Sequence, residues 1–221
     1  MISKNIKELV ESPSAGVIRK MFEEGAMLKK KYGEDNVYDF SIGNPDLDPP
    51  KEVVDAIKEV AQDETHLCHG YMPNAGYTEA RQAMADKTSL EQGVPIEYSN
   101  VCMAVGAAGA LNATMKALLN DGDEVIVPCP YFVEYDHYIK NHGGKIIRVN
   151  TKTDFGLDSD TIKAALNEHT AAVLINSPNN PTGRIYTDEE ILSLVKELKE
   201  HGRKTGRYPY LICDEPYRAI T

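Results

Sequence analysis

The sequence lacks the features typical of membrane, secreted and disulfide-rich proteins. No stretch of its 221 residues approaches the ~18 consecutive apolar residues that a membrane span requires. The first residues, MISKNIKELVESPSAG, do not contain the apolar core of a signal peptide. The four cysteines form no Cys-x-x-Cys pair, and three of them fall in apolar runs typical of strands, which favours reduced core thiols. We therefore expect a soluble, cytoplasmic protein that does not associate with membranes.

Positive charge is also scarce. The chain has 24 Lys and Arg residues against 34 Asp and Glu, which gives a formal net charge of −10. Because such a surface repels phosphate groups, we expect no nucleic-acid partner and favour a small-molecule ligand. The sequence has no internal repeat and no linker rich in Gly and Ser.

From Ser99 onward, apolar runs alternate with segments of helical periodicity. The runs are VCMAVG, DEVIVPCP, KIIRVN, AAVLINS and YPYLICD. Each run is continuously apolar, which is typical of parallel strands covered by helices on both faces. The pattern therefore predicts an α/β fold with a parallel sheet. Upstream, the segment PPKEVVDAIKEVAQD predicts an amphipathic helix.

Several residues indicate where helices begin and end. Thr187 and Glu190 have the spacing of a capping box, which predicts a helix start. Gly122, Gly143 and Gly202 occupy positions where left-handed residues that end helices are expected. The loop GNPDLDPP separates the N-terminal residues from the rest. We predict an N-terminal arm and part of a small lobe over 1–45, and a large domain over 46–221.

Ligands of open parallel sheets bind beyond the carboxyl ends of the strands, so the residues that follow each run are candidates for a site. The turn Gly106–Ala110 leads into a helix whose free N–H groups could hold a phosphate. A tight turn without a ligand explains the same residues. Tyr131 and Phe132 could cover a planar ligand, although ordinary packing at a helix start also explains them.

Two further strand ends carry polar groups. In the loop SPNNPTG, Pro178 and Pro181 restrict the backbone, and Asn180 can offer an amide donor to a ligand oxygen. Asp214 ends an apolar run, and a buried acid there needs a cationic or N–H partner. A flat ring with a phosphate, a phenolate-type oxygen and a protonated ring nitrogen fits all these positions. This chemistry indicates pyridoxal 5′-phosphate.

A metal centre is not expected. His66, Cys68 and His69 lie close together in the sequence, but no second cluster with recognisable spacing completes a tetrahedral ligand set.

The motifs GYMPNAGYTEAR, GAAGAL, SPNNPTG and DEPY resemble those of class I and II aminotransferases, which are fold-type I pyridoxal-phosphate enzymes. The resemblance extends from SIGNPDLDPP to Thr221. It implies a three-layer large domain with a mainly parallel sheet, which binds pyridoxal 5′-phosphate. It also implies a homodimeric enzyme of amino acid metabolism that transfers an amino group between an amino acid and a 2-oxo acid.

The resemblance assigns roles around the cofactor ring. Asp214 would hold the pyridine N–H, so that the ring can accept electrons from the substrate. Tyr217 and Asn180 would bind the ring 3′-oxygen, and Asp214 and Tyr217 would be the catalytic residues. Phe132 would stack on the ring face, with Tyr131 as the alternative.

The resemblance also assigns residues to the phosphate and the substrate. Ala107 and Ala108 would offer backbone N–H groups to the phosphate. Tyr71 would reach the phosphate in the neighbouring subunit of a dimer. Gly43 and Asn180 would line the substrate pocket.

The chain also departs from the family pattern. In the family, the lysine that joins the cofactor covalently follows the DEPY strand, whereas the last lysine here is Lys204. The family's substrate-binding arginine and two sheet strands also lie in that later portion. We therefore expect a fragment, the N-terminal half of an aminotransferase, truncated before the last strands and inactive alone. A lyase or decarboxylase on the same fold and a non-catalytic binding module remain alternatives, because the named residues serve the cofactor rather than the choice of reaction.

Overall fold

The computed structural model describes residues 2, 4–11, 17–40, 43 and 47–220. The chain divides into two compact units, Met1–Gly70 and Tyr71–Thr221. The domain boundary predicted between residues 45 and 46 remains a prediction. Within the described ranges, the structure contains no helix with the length and apolar character needed to cross a membrane.

The first unit is helical. It contains α1 (Lys4–Glu11), α2 (Val17–Tyr32), a 3₁₀ turn (Glu34–Asn36) and α3 (Lys51–Ala61). Helix α3 confirms the predicted amphipathic helix, and Pro50 directly precedes it, where a missing N–H costs nothing. The predicted apolar stripe of α3 is exposed at Val53, Ile57 and Val60.

The second unit is built on a parallel sheet. It begins with α4 (Thr78–Gln92), a 3₁₀ turn (Tyr98–Asn100) and α5 (Gly106–Leu118). Strands and helices then alternate: β1 (Glu124–Cys129), α6 (Tyr135–Lys140), β2 (Lys145–Asn150), α7 (Ser159–Ala165), β3 (Thr170–Asn176), α8 (Asp188–Thr205) and β4 (Tyr210–Asp214), with a last 3₁₀ turn (Arg218–Ile220). The strand order is β2-β1-β3-β4, and every pair is parallel. Four of the five predicted strands are thus confirmed.

The two central strands are buried on both faces, as their continuous apolar sequences predict. Side chains of a strand alternate between faces, so Val125 and Val127 of β1 pack with α5 and α6, whereas Ile126 packs with α7 and α8. Strand β3 divides in the same way, with Leu174 on the first face and Val173 on the second. The result is a three-layer α/β unit.

The predicted strand VCMAV is wrong. The segment from Val101 to Val105 is not paired with any strand in the described part of the chain. Its Met103 N–H donates instead to the carbonyl oxygen of Ala75 at 2.9 Å. Val105 is 96% exposed. An apolar run becomes a strand only where a neighbouring strand supplies a ladder of hydrogen bonds, and among the residues that the structure describes no strand lies beside this run.

The predicted helix ends are confirmed at one site and corrected at another. Thr187 and Glu190 form the capping box, with reciprocal bonds of 2.8 and 3.3 Å between side chain and backbone. Gly202, however, lies inside α8, which ends at the left-handed Gly206. The small size of Gly202 is required by packing rather than by backbone angle, because an added Cβ would overlap the ring of Tyr208.

The connections define where a ligand is expected. In the strand order, β2 lies next to β1 on one side, and β3 and β4 lie on the other. The chain runs from β1 through α6 to β2, and from β3 through α8 to β4. The connections that follow β1 and β3 therefore leave in opposite directions. A crevice opens at such a reversal, at the carboxyl ends of the strands.

Candidate functional site

Two polar residues end neighbouring strands at this edge of the sheet. Asn176 is the last residue of β3, and its register partner is Asp214, the last residue of β4. Each lies two residues beyond an apolar residue, Leu174 or Ile212, that packs with α5 and α6, so both side chains belong to that face. The Asn176 Nδ2 donates to the backbone oxygen of Asp214 at 2.8 Å. The two strand ends are therefore tied together.

The carboxylate of Asp214 is held by a buried tyrosine. The Tyr135 hydroxyl donates to Asp214 Oδ2 at 2.6 Å. Tyr135 is only 1% exposed. Burial, followed by the bond to Asp214, raises the pKa of Tyr135, so the hydroxyl keeps its proton and remains a donor. The sequence predicted a cationic or N–H partner for this acid, and the partner within the described residues is a hydroxyl instead.

The first asparagine of the SPNNPTG loop organises the loop itself. Asn179 is buried, and its Oδ1 accepts from the N–H and the hydroxyl of Thr182 at 3.2 and 2.9 Å. Its backbone N–H donates to the Arg184 oxygen at 2.9 Å, and its own oxygen accepts from Gly183 at 2.8 Å. These bonds close the loop in addition to the restriction that its prolines impose.

The second asparagine points toward the strand ends. The Asn180 backbone N–H donates to Asn176 Oδ1 at 2.7 Å. Its side-chain Nδ2 donates to the Tyr217 hydroxyl at 3.3 Å. Because the Tyr217 oxygen accepts this bond, its own proton is free to be donated elsewhere, and Nδ2 keeps a second hydrogen. The predicted residues Asn180, Asp214 and Tyr217 thus form one connected cluster through Asn176.

The two aromatic candidates after β1 differ in how they are held. The Tyr131 hydroxyl donates to Asp136 and accepts from Arg148 Nε, both at 2.7 Å. Arg148 also pairs with Asp136 at 2.6 Å, so the polar end of Tyr131 is committed to this network. Phe132 meets the Tyr135 ring edge-on, with centroids 5.6 Å apart. Tyr131 also contacts the Tyr135 ring, at 6.3 Å, so the difference between the two lies in the hydroxyl network that holds Tyr131, and this favours Phe132 for the predicted stacking role.

The first turn of α5 carries backbone donors. Val105 occupies the N-cap position and provides no side-chain hydrogen bond. Ala107 and Ala108 are exposed, and their N–H groups have no acceptor in the described structure. Helix α5 packs through Leu111 and Met115 into the same cluster as Tyr135. Such N–H groups, together with the helix dipole, can bind an anion.

Two predicted residues are outside this cluster of contacts. Gly43 belongs to the first unit and is exposed. Tyr71 opens the second unit, and its side chain is fully exposed, which leaves it accessible to another molecule. The roles assigned to both residues remain predictions.

Tyr135 and Asn176 were not predicted from the sequence. Tyr135 lies at a core position of α6, and the need of a buried tyrosine for a hydroxyl partner is the one signal that could have pointed to it. Asn176 is the single polar residue at the end of the run AAVLIN. Neither feature of the sequence specifies which residue is the hydrogen-bond partner, because that residue, Asp214, belongs to another strand.

The chain is similar to known aminotransferases in sequence. The family model for aminotransferase class I and II matches residues 35–220. An aspartate aminotransferase of Geobacillus stearothermophilus is 33% identical over 222 residues, which cover 100% of this chain and 53% of the relative. An aspartate/prephenate aminotransferase of Thermus thermophilus is also 33% identical, over 99% of this chain and 54% of the relative. The chain therefore spans about half the length of the curated relatives it matches.

The structure is similar to solved aminotransferases as well. An aminotransferase from Eubacterium rectale superposes with a TM-score of 0.92 and 38% identity, over 100% of this chain and 56% of that one. The aspartate aminotransferase of Thermus thermophilus with maleate superposes with a TM-score of 0.79 and 30% identity, over 97% of this chain and 53% of that one. These matches confirm the predicted three-layer, fold-type I architecture.

Proposed function

Because the chain belongs to the class I and II aminotransferase family, we propose that the protein containing it transfers an amino group between an amino acid and a 2-oxo acid, with pyridoxal 5′-phosphate as cofactor. Relatives named aspartate aminotransferase support aspartate as the amino donor. The observation that carries the proposal is the cluster at the strand ends, where Asp214 is fixed by Tyr135 beside the Asn180–Tyr217 pair.

The donors and acceptors of the cluster fit this cofactor. Asp214 Oδ2 accepts from Tyr135, and Oδ1 has no hydrogen-bond partner among the residues that the structure describes. An unpartnered carboxylate oxygen suits a protonated ring nitrogen. Asn180 and Tyr217 both have a hydrogen to donate, which suits a ring oxygen with negative charge. When bound, the protonated pyridine ring withdraws electrons from the amino-acid carbon that loses its proton.

The remaining predicted residues complete the proposed site. Phe132 would pack against the ring, and the N–H groups of Ala107 and Ala108 would hold the phosphate. Gly43 would line the substrate pocket. The exposed Tyr71 would contact the phosphate of a second subunit, so we propose a homodimer.

Transfer of labelled nitrogen tests the proposal. The protein that contains this chain is supplied with ¹⁵N-aspartate and 2-oxoglutarate, and ¹⁵N-glutamate is measured by mass spectrometry. We expect label in glutamate, and we expect Asp214→Asn to lower the rate by about 100-fold or more, because the substitution removes the charge that keeps the ring protonated. Glu215→Gln removes the same charge from the adjacent exposed residue and should leave the rate nearly unchanged.

Other results would contradict the proposal in distinct ways. Label released as ammonia, without glutamate, would indicate a lyase on the same fold. Label that stays in aspartate would indicate a binding module without catalysis. Equal rates for the Asp214→Asn and Glu215→Gln variants would remove Asp214 from the mechanism.

A further inference from the structure

We propose that Tyr135 is a positioning residue, which fixes the Asp214 carboxylate so that Oδ1 faces the ligand; this role rests on the proposed function. The sequence gives Tyr135 no part in the site, since it is the first residue of helix α6 and does not directly follow a strand. The structure nevertheless places its hydroxyl 2.6 Å from Asp214 Oδ2, across 79 positions of the chain.

The ring of Tyr135 is held on several sides. Phe132 meets it edge-on at 5.6 Å, and Tyr131 stacks nearly parallel at 6.3 Å. Tyr138 contacts it at 6.3 Å with a tilted ring. With 1% of its surface exposed, the side chain cannot turn its hydroxyl away without opening the packed cluster between α6 and the sheet. Tyr135 is therefore a rigid support.

Asp214 is consequently fixed at both its backbone and its side chain. Asn176 Nδ2 holds the backbone oxygen at 2.8 Å, and the N–H of Ser177 approaches the same oxygen at 3.4 Å. The Tyr135 hydroxyl holds Oδ2, and a hydrogen bond donated to a carboxylate is stronger than one between neutral groups. Partial rotation of the carboxylate would break this bond, so one oxygen stays on Tyr135 and the other, Oδ1 in this structure, faces away from it.

This arrangement predicts a selective effect on the ring nitrogen of a ligand. A carboxylate without Tyr135 can rotate, and it must be ordered again each time it meets the ring N–H. Removal of the hydroxyl should therefore weaken binding of a ligand that has a ring N–H. It should not affect a ligand that has a ring C–H at the same place.

Calorimetric binding of two ligands to the protein that contains this chain tests this role. The ligands are pyridoxamine 5′-phosphate, which has no aldehyde to react with lysines, and its analogue with a C–H group in place of the ring nitrogen. We expect Tyr135→Phe to weaken binding of pyridoxamine 5′-phosphate about tenfold, the effect of losing one hydrogen bond to a charged group. Binding of the analogue should change less than about twofold.

Tyr208→Phe is the matched control, since it removes a hydroxyl from an exposed tyrosine near the amino end of β4 and should alter neither affinity. Thermal melting shows whether each variant is folded. A loss of folded protein would lower the apparent binding of both ligands equally, so it does not change the difference between the two ligands. Equal weakening of both ligands would assign Tyr135 to packing alone, and unchanged affinities would remove it from the site. If the unsubstituted protein binds neither ligand, the proposed cofactor site itself fails, and the role of Tyr135 fails with it.

Discussion

Asn179 and Asn180 are adjacent in the sequence, but their side chains make different kinds of contact. The Asn179 side chain is buried and accepts two hydrogen bonds from Thr182 inside the loop. The Asn180 side chain reaches outward to the Tyr217 hydroxyl. The doubled asparagine in SPNNPTG therefore combines a residue that shapes the loop with a residue that meets a ligand.

This division predicts different consequences for the two alanine variants. Asn179→Ala should lower the free energy of unfolding by about 1–3 kcal/mol, because the buried Asn179 side chain is lost and Thr182 loses its hydrogen-bond partner. Asn180→Ala should change it by less than about 1 kcal/mol but should weaken binding of pyridoxamine 5′-phosphate. Urea unfolding and calorimetry measure the two effects. Similar stability losses in both variants would contradict the division.

Individual residues also show which parts of the site could be predicted from the sequence and which could not. Asp214 and Asn180 could be identified because each follows a strand-like run, a position that places ligand-binding groups in parallel sheets. Tyr135 could not, because its role depends on the direction of a hydroxyl across the space between α6 and β4. Sequence periodicity predicts which face of a helix is buried, but it does not specify which polar atom the buried face meets.

At the scale of elements, the amino ends of three strands are joined by one arginine. Arg207, which precedes β4, donates to Asp123, which precedes β1, at 2.6 Å. It also donates to the backbone oxygen of Glu168, just before β3, at 2.7 Å. Asp123 accepts two further bonds from Asn120, at 2.9 and 3.1 Å. This network lies at the amino ends of the strands, whereas the candidate site lies at their carboxyl ends. It fixes the strands relative to each other.

The network predicts an acid-sensitive contribution to stability. Burial opposes the charge of Asp123, but the bonds from Arg207 and Asn120 outweigh it and lower the pKa of this carboxyl. A lowered pKa in the folded state stabilises the protein above the unfolded value of about 4, and this contribution is lost as the pH falls through the folded value. Stability should therefore decline below about pH 4.

Arg207→Met should remove part of this contribution. We expect the free energy of unfolding at neutral pH to fall by about 1–3 kcal/mol, because buried Asp123 loses its charged partner while Arg207 itself is partly exposed. The loss of stability on acidification should be smaller in this variant. Arg203→Met, at an exposed position near the end of α8, is the control. A variant as stable as this control would show that the ion pair does not hold the strands.

Element boundaries were predictable where local chemistry decides them. Four apolar runs became strands β1 to β4 because neighbouring strands lie beside them in register. The run at Val101–Val105 is also apolar, but no strand pairs with it in the described part of the chain, so composition alone was misleading. Gly202 was misassigned for a related reason, since its small size accommodates the ring of Tyr208, a contact absent from any local pattern.

At the scale of the whole molecule, the sheet brings distant segments to one edge. The residues of the candidate site come from the ends of β3 and β4, from the loop after β3 and from helix α6. The alternation of strands and helices predicts this gathering, because parallel strands must place all their carboxyl ends at the same edge. The architecture and the family are shared with enzymes about twice as long as this chain. The central claim is that Asp214, at this edge, binds the ring N–H of the cofactor.

The most direct test observes that ring proton itself. Pyridoxamine 5′-phosphate labelled with ¹⁵N in the ring is bound to the chain, at a pH at which the ring nitrogen of the free ligand carries no proton, and ¹⁵N–¹H correlation spectra are recorded. The account predicts a directly bonded proton on the ring nitrogen in the complex, and its loss with Asp214→Asn, because only a carboxylate stabilises the protonated ring. A bound ligand whose ring nitrogen lacks a proton, or a ring proton that persists unchanged in the Asp214→Asn variant, would contradict it.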